Sequence, residues 1–427
     1  MLDIAYIREN ADIVKAAIHN KRIALDLDEL LQVDQKRRRL TTSVEQLRAR
    51  RNRLASSISE LPAEARPKLI AESHELRTAL GESEKKLLDL DAQFSRLMYL
   101  VPSVPAEDVP IGFSDAENRE VARWGDPPKF DFVPKDHVEL ATALGIVDFE
   151  RPRKFAGSRS YALKGDGVLL EQAVLRFALD TLLSQGFVPV SPPVLVRDTA
   201  MLGTGYFPLG YEEAYAMEKD GLFLTGTSEV GLVSLHMGEL LTQRDLPIRY
   251  AGLSYCFRRE AGASGKDTKG LYRVHQFTKV EQVVISENDV EASQKEHYRL
   301  LRNSQVILEE LGIPHRVALA CTGEIGLGQV RKHEVESWMP SRSGYCETHS
   351  CSTFHDFQAR RLNIRYRDEG GKSKFAHTLN NTAIASPRIL IPLLENNQCA
   401  DGSVVIPTVL RPYLGGKDRL ETRIQAS

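Results

Sequence analysis

A seven-residue apolar repeat near the N-terminus constrains this chain more than any other feature. Val33, Leu40, Leu47, Leu54 and Leu61 recur at that interval, with Leu30, Val44 and Ile58 on a second track. After the PAEARP break at residues 62–67 the pattern resumes as Leu69, Leu76, Leu90 and Leu97, with Leu80, Leu87 and Phe94 beside it. A 3.5-residue period held over successive heptads predicts a supercoiled helix, and the short proline-flanked turn folds it back on itself. At about 1.5 Å per residue each helix reaches roughly 45–50 Å, longer than a small domain is wide. The expectation is a projecting antiparallel coiled-coil arm over about 27–100.

Charge on this arm is one-sided. Between residues 34 and 53, Lys36, Arg37, Arg38, Arg39, Arg48, Arg50, Arg51 and Arg53 stand against only Asp34 and Glu45. The bland reading is a solvated helix face. The functional one is a surface for phosphates, each of which releases counterions when neutralised. Arg37 and Arg51 fall on a seam track, which a purely self-packing hairpin tends to avoid. The whole chain is balanced, with 56 basic and 58 acidic residues, so a uniformly basic binder is excluded.

The proline-punctuated run VPSVPAEDVPIG ends the repeat. It divides the chain into a helical domain at 1–101, a linker at 102–115 and a larger domain at 116–427. In the larger domain, helical patterns at 171–185 and 290–311 alternate with β-rich runs such as FVPVSPPVLV, PIRYAGLSYCF and QFTKVEQVVI. An α+β fold follows, with a mainly antiparallel sheet and flanking helices. No apolar run approaches the ~18 residues of a membrane span. The opening MLDIAYIREN has no signal-like apolar core, and five scattered cysteines suit a reducing cytosol, so a cytoplasmic protein without a membrane partner is expected.

Three patches in the larger domain read as a set. GFVPVSPP at 186–193 follows a helix and enters an apolar strand, and by itself is a helix-ending glycine before an edge strand. YCFRREAGASGKDTKGLYRVHQFTKVEQ at 255–282 is two β-rich runs around a polar loop with Gly262, Gly265, Lys266, Lys269 and Gly270. Arg258 and Glu260 are two apart on the first run and so share a face, as do Arg273, Phe277 and Glu281 on the second. Such a set suits a nucleotide: arginine neutralises charge on a phosphate, phenylalanine stacks on a base, and glutamate accepts from an exocyclic amine. In TLNNTAIASPRILIPLLE at 378–395 a polar opening precedes an apolar helix, which Thr382 or a neighbour could cap. Arg388 lies inside that apolar stretch, where an arginine is costly unless paired or stacked.

In order, the patches resemble the three signature motifs of class II aminoacyl-tRNA synthetases. With the arm, the LTGTSEV run and the DFQARR run, the chain is similar from end to end to the bacterial-type seryl-tRNA synthetases. That resemblance implies an antiparallel six- or seven-stranded catalytic sheet, and a homodimer formed through the first motif, which Pro193 matches. It implies ATP and Mg²⁺ as cofactors, and L-serine, tRNA(Ser) and also tRNA(Sec) as partners, the tRNA bound across both subunits. By resemblance, Arg258 holds the α-phosphate, Glu260 reads the adenine amine, Phe277 and Arg388 sandwich adenine, and Arg273 engages the outer phosphates. Arg259, Val274, Thr348 and His349 fall in the matching ATP-binding segments, and Glu347 with Ser350 matches the pair that supports Mg²⁺. Thr227, Ser228, Glu229, Glu281, Asn380 and Thr382, with Arg258, match the serine pocket. Either Glu229 or Glu281 can pair the α-ammonium, and Thr382 can bond the hydroxyl.

Other signals take the bland reading. Cys346, His349, Cys351 and His355 crowd together, but C-x₂-H-x-C-x₃-H is no structural zinc pattern, so no zinc is expected. Tyr345-Cys346-Glu347 lacks an arginine common in the family, and His333-Glu334 stands where it often has Tyr-Asp. A relative that loads carrier proteins would lack the arm. A non-catalytic RNA binder would not need Arg258, Glu260, Glu347, Thr382 and Arg388 together. A sister synthetase would need a C-terminal anticodon-binding domain, for which the 39 residues after Arg388 leave no room.

Overall fold

The computed structural model describes residues 1–60, 62, 64, 66–263 and 269–422. Leu61 of the expected heptad track, Ala63 and Ala65 of the expected turn, and Gly265 and Lys266 of the expected loop lie outside the described residues. The chain forms two compact units, Leu2–Pro102 and Ser103–Ser427.

In the first unit, α1 (Ile4–Glu9) and α2 (Ala11–Asn20) precede the long helices α3 (Leu27–Glu60) and α4 (Arg66–Met98). Asp3 caps α1 by accepting from the Ala5 amide, one of the donors a helix start leaves free. Both heptad tracks contribute buried side chains: Leu30, Val33 and Val44 on α3, Leu76, Leu80 and Leu97 on α4. Ion pairs between the helices run Arg37–Asp91 at 3.2 Å, Arg48–Glu84 at 2.8 Å and Arg50–Glu72 at 2.5 Å. Numbers rise on one helix as they fall on the other, so the pair is antiparallel. The seam position of Arg37 has a local explanation. Its guanidinium lies 4.2 Å from the Phe94 ring centroid while it bonds Asp91.

The second unit is built on an eight-stranded sheet: β1 (Arg119–Trp124), β2 (Val188–Val190), β3 (Ile248–Phe257), β4 (Gln276–Ser286), β5 (His315–Leu319), β6 (Arg331–Met339), β7 (Gly344–His355) and β8 (His377–Ser386). Their order is β1-β5-β6-β7-β8-β4-β3-β2. Every neighbouring pair is antiparallel except β3 with β2. The sheet is thus one strand wider than the upper bound expected. At one edge β2 is short and carries Pro189, which an edge strand tolerates because one side of its backbone is unpaired.

Alternation along β4 divides the sheet's two faces. Val280 and Val284 pack with Leu170, Val174 and Leu182 of α5 (Asp166–Ser184) and with Leu300 and Ile307 of α7 (Val290–Glu310). Phe277, Lys279 and Glu281 point the other way, the last two towards Glu229 of α6 (Glu229–Ser234), and on that same face Val283 and Ile285 pack with Ala359 and Leu362 of α8 (Phe357–Leu362). Thr382 does not cap a helix, contrary to expectation. It lies within β8, and the apolar helix α9 begins only at Leu390 (Leu390–Asn396). Nor is the stretch 103–112 a free linker. The Ser103 and Ala106 amides donate to the Leu327 and Val330 carbonyls at 2.9 Å, and Val109 is buried with Leu319, Ala320 and Ile325. The apolar residues between its prolines make that docking favourable. Among the described residues no helix is long and apolar enough to cross a membrane.

Candidate active site

Two adjoining cavities open on the face of the sheet away from α5 and α7. Arg258, Glu260, Arg273, Val274, Phe277, Glu347, Thr348, His349, Ser350 and Arg388 line the first. β3 ends at Phe257, so alternation along a strand does not align Arg258 with Glu260 as expected. A turn does so instead, with Glu260 in the left-handed region at φ 54°. Glu260 pairs with Arg273 at 3.2 Å. The Arg258 Nε–H donates to the Gly226 carbonyl at 3.3 Å, and its guanidinium lies 5.2 Å from the Phe277 ring centroid.

Arg388, just past the end of β8, resolves the cost of an arginine in an apolar run. It stacks 4.4 Å from the Tyr272 ring, donates to the Tyr272 and Glu347 carbonyls at 3.2 Å, and lies 3.5 Å from a Glu347 carboxylate oxygen. Burial pushes the Glu347 carboxyl up, but Lys332, Arg388, Arg258 and Arg273 outweigh it and hold it below its ordinary value. An ionised carboxylate and the Ser350 hydroxyl on one wall are hard oxygen donors, the type Mg²⁺ takes.

The second cavity is lined by Thr227, Glu229, Arg258, Lys279, Glu281, Ser350, Asn380 and Thr382 among others. A bulge in the β4–β8 ladder at Ala383 sets Glu281 directly across from Thr382, whose hydroxyl donates to the Glu281 carboxylate at 3.2 Å. Lys279 Nζ donates to Thr227 Oγ1 at 2.6 Å and lies 2.5 Å from the same carboxylate. Glu229 accepts from the Tyr206 hydroxyl at 2.9 Å and the Gln358 amide at 2.7 Å. Burial nevertheless raises its pKa, with Glu281 adding repulsion. Arg258, Lys279, Ser350 and Thr382 line both cavities, which therefore meet at a floor with two cations.

Two expected site residues point elsewhere. The Ser228 hydroxyl is buried and directed to the Gly252 carbonyl at 3.5 Å, and Arg259 is exposed and bonds the Glu212 carbonyl at 3.0 Å. Sequence reasoning passed over Lys279, Tyr206 and Gln358. Lys279 was findable, being two residues before Glu281 and hence on its face. Tyr206 and Gln358 reach Glu229 from distant segments and give no local signal.

The four residues weighed as a zinc cluster have other neighbours. His349 contacts Thr348 Oγ1 at 2.8 Å, Cys351 packs 3.5 Å from the His297 carbonyl, and His355 stacks on His377 at 4.8 Å. Cys346 is half-buried against the main core. On the arm, the eight basic residues divide. Arg37, Arg38, Arg48 and Arg50 pair with acids of the hairpin itself, while Lys36, Arg39, Arg51 and Arg53 are exposed without an acidic partner among the described residues.

Residues 1–105 match the seryl-tRNA synthetase N-terminal domain, and residues 213–397 match the tRNA synthetase class II core domain (G, H, P, S and T). A serine–tRNA ligase of Deinococcus radiodurans is 48% identical over 98% of this chain and 99% of its own length. One of Rubrobacter xylanophilus is 44% identical over 97% of this chain and 98% of its own. Among solved structures, seryl-tRNA synthetase of Pyrococcus horikoshii complexed with ATP superposes with a TM-score of 0.91 at 38% identity, covering 99% of this chain and 100% of that one.

Proposed function

The chain belongs to the seryl-tRNA synthetase family of ATP-dependent class II ligases, and we propose that it activates L-serine as seryl-adenylate and transfers the seryl group to tRNA(Ser), and to tRNA(Sec) as well. The observation that carries this reading is the junction of the two cavities at Arg258, Lys279, Ser350 and Thr382. ATP occupies the first cavity, with adenine between Phe277 and Arg388, its amine on Glu260 and its outer phosphates towards Arg273. Serine occupies the second, so that its carboxylate meets the α-phosphate at the junction.

Adenylation then needs no general base. The carboxylate oxygen forms the new bond to the α-phosphorus, and the bond to the pyrophosphate oxygen breaks. Negative charge grows on the α-phosphate during this step, and Arg258 is held beside it by Gly226 and Phe277. Positioning and fixed positive charge supply the catalysis. Glu347 and Ser350 would hold the Mg²⁺ that accompanies ATP, which would neutralise phosphate charge. In the second step a ribose hydroxyl at the tRNA 3′ end attacks the adenylate carbonyl carbon, and AMP leaves.

The two glutamates divide the substrate between them. Glu281 is already neutralised by Lys279 and linked to Thr382, which suits it to the side-chain hydroxyl. Among the described residues Glu229 accepts side-chain hydrogen bonds only from neutral donors, Tyr206 and Gln358, and its raised pKa would be restored by a cation, which suits it to the α-ammonium. A pocket that pairs a hydroxyl rejects analogues lacking it by about 10⁴–10⁵.

The arm receives the tRNA through Lys36, Arg39, Arg51 and Arg53, while the paired arginines hold its helices in register. Exposed Val168, Leu169 and Leu183 on α5, with Val188 on the edge strand, support a homodimer through this face, and a tRNA bound across both subunits. A cytoplasmic location agrees with these substrates. ATP–pyrophosphate exchange with each amino acid tests the reading. Serine should drive exchange far above alanine, glycine and threonine; equal exchange with any of them would overturn the assignment.

A further inference from the structure

Directly behind the serine pocket lies a polar cluster that the chemistry above does not use. Side chains alternate across a strand, so each pocket residue has a neighbour on the opposite face. For Glu281 on β4 that neighbour is Gln282, and for Thr382 on β8 it is Asn381. Both neighbours are fully buried, and the Gln282 amide donates to Asn381 Oδ1 at 2.6 Å. Helix α7 supplies the rest. Asn303 Nδ2 donates to Gln282 Oε1 at 2.7 Å, and the Ser304 hydroxyl lies against Asn381 Oδ1 and 2.9 Å from the Thr382 carbonyl oxygen.

The last contact falls where the ladder is irregular. At Ala383 the register between β4 and β8 shifts by one residue. A bulge disrupts regular ladder bonding and re-aims side chains, so a donor at the Thr382 carbonyl helps to fix where Thr382 points. A serine within a helix commonly turns its hydroxyl back to its own helix. Ser304 instead reaches across to the sheet, at a depth where an unneeded polar group would cost stability. A buried polar network restricts a core to one arrangement, and here that arrangement is the Glu281–Thr382 pair.

We propose that Ser304, with Gln282 and Asn381, is a positioning element for the subsite that takes the substrate hydroxyl. It acts from the far face of the sheet by holding the bulge in register, and contacts no substrate atom. The proposal rests on the reading of the second cavity as the serine site.

The test is ATP–pyrophosphate exchange by the full-length enzyme carrying Ser304→Ala, or Gln282→Met as a near-isosteric second variant in case the first folds poorly. Serine and alanine are compared as substrates, and the KM for ATP is measured alongside. The expected result is a rise of about tenfold in the KM for serine, the scale of one hydrogen bond. The serine-to-alanine ratio of kcat/KM should fall by a similar factor, with the KM for ATP unchanged. A merely structural role would reduce the active fraction for both amino acids alike and leave that ratio where it was. Wild-type preference for serine kept in full by the folded variants would overturn the proposal alone. A wild-type enzyme with no preference for serine over alanine would overturn the subsite reading and the proposal together.

Discussion

Replacing Lys279 with methionine keeps the aliphatic stem and removes the charge, which separates its electrostatic role from its packing. In the native protein both members of the Lys279–Glu281 pair are nearly inaccessible, at 6% and 3% side-chain exposure, and 2.5 Å apart. Removing one partner of such a pair leaves an uncompensated buried charge, at a cost of about 3–5 kcal/mol. Lys279 also fixes Thr227 through a 2.6 Å bond, so the variant should bind serine less well. A charge-assisted hydrogen bond contributes about 1.5–3 kcal/mol, which is roughly ten- to a hundredfold in serine affinity. Urea unfolding followed by circular dichroism reads the first quantity, and serine-dependent pyrophosphate exchange reads the second. The double variant Lys279→Met with Glu281→Met should recover much of the stability, because an apolar pair can replace a buried ion pair. It should not recover activity, because the hydroxyl acceptor is gone. A stable single variant with an unchanged KM for serine would rule out both roles for Lys279.

Three further outcomes are expected. Arg258→Ala should lower serine-dependent exchange by about 10²-fold or more, the scale of one electrostatic stabiliser, in a protein whose circular dichroism is unchanged. Removing the charges of Lys36, Arg39 and Arg53 should weaken tRNA binding and flatten its dependence on log salt by about 0.7–0.9 per lost phosphate contact, leaving exchange intact. A nitrocellulose-filter titration at several salt concentrations measures this, and an unaltered slope would return those residues to a solvated face. Burial holds the His333 and His377 pKa values down at about 4. The unfolded chain takes up these protons near pH 6.5 and the folded one only near 4, so stability is full above about 6.5 and is lost as pH falls through that window. The slope should be about 1.4 kcal/mol per pH unit for each histidine, and urea midpoints at pH 7, 6 and 5 check it.

Long-period features of this protein were legible in its sequence. The heptads located both arm helices, because a seam that repeats over tens of residues leaves little freedom in how it is buried. The runs at 247–257 and 276–285 likewise became the paired strands β3 and β4. Local irregularity was not legible. The left-handed turn at Glu260 and the bulge at Ala383 depend on what the backbone packs against, and no residue pattern announces either. Thr382 reads as a cap for the same reason: a polar residue before an apolar run fits a helix start, and only the ladder to β4 reveals a strand. On the arm, composition identified a basic surface but not which arginines were already paired, because their acids come from the returning helix. Tyr206 and Gln358 were hidden by distance along the chain.

The most direct test of the central claim is a crystal structure of the protein with a non-hydrolysable seryl-adenylate analogue. Adenine is expected between Phe277 and Arg388, the linking group within hydrogen-bond distance of Arg258, the ammonium on Glu229 and the serine hydroxyl between Glu281 and Thr382. An analogue bound with its serine moiety outside the cavity of Glu229, Lys279 and Glu281, or with its linkage away from Arg258, would contradict that claim.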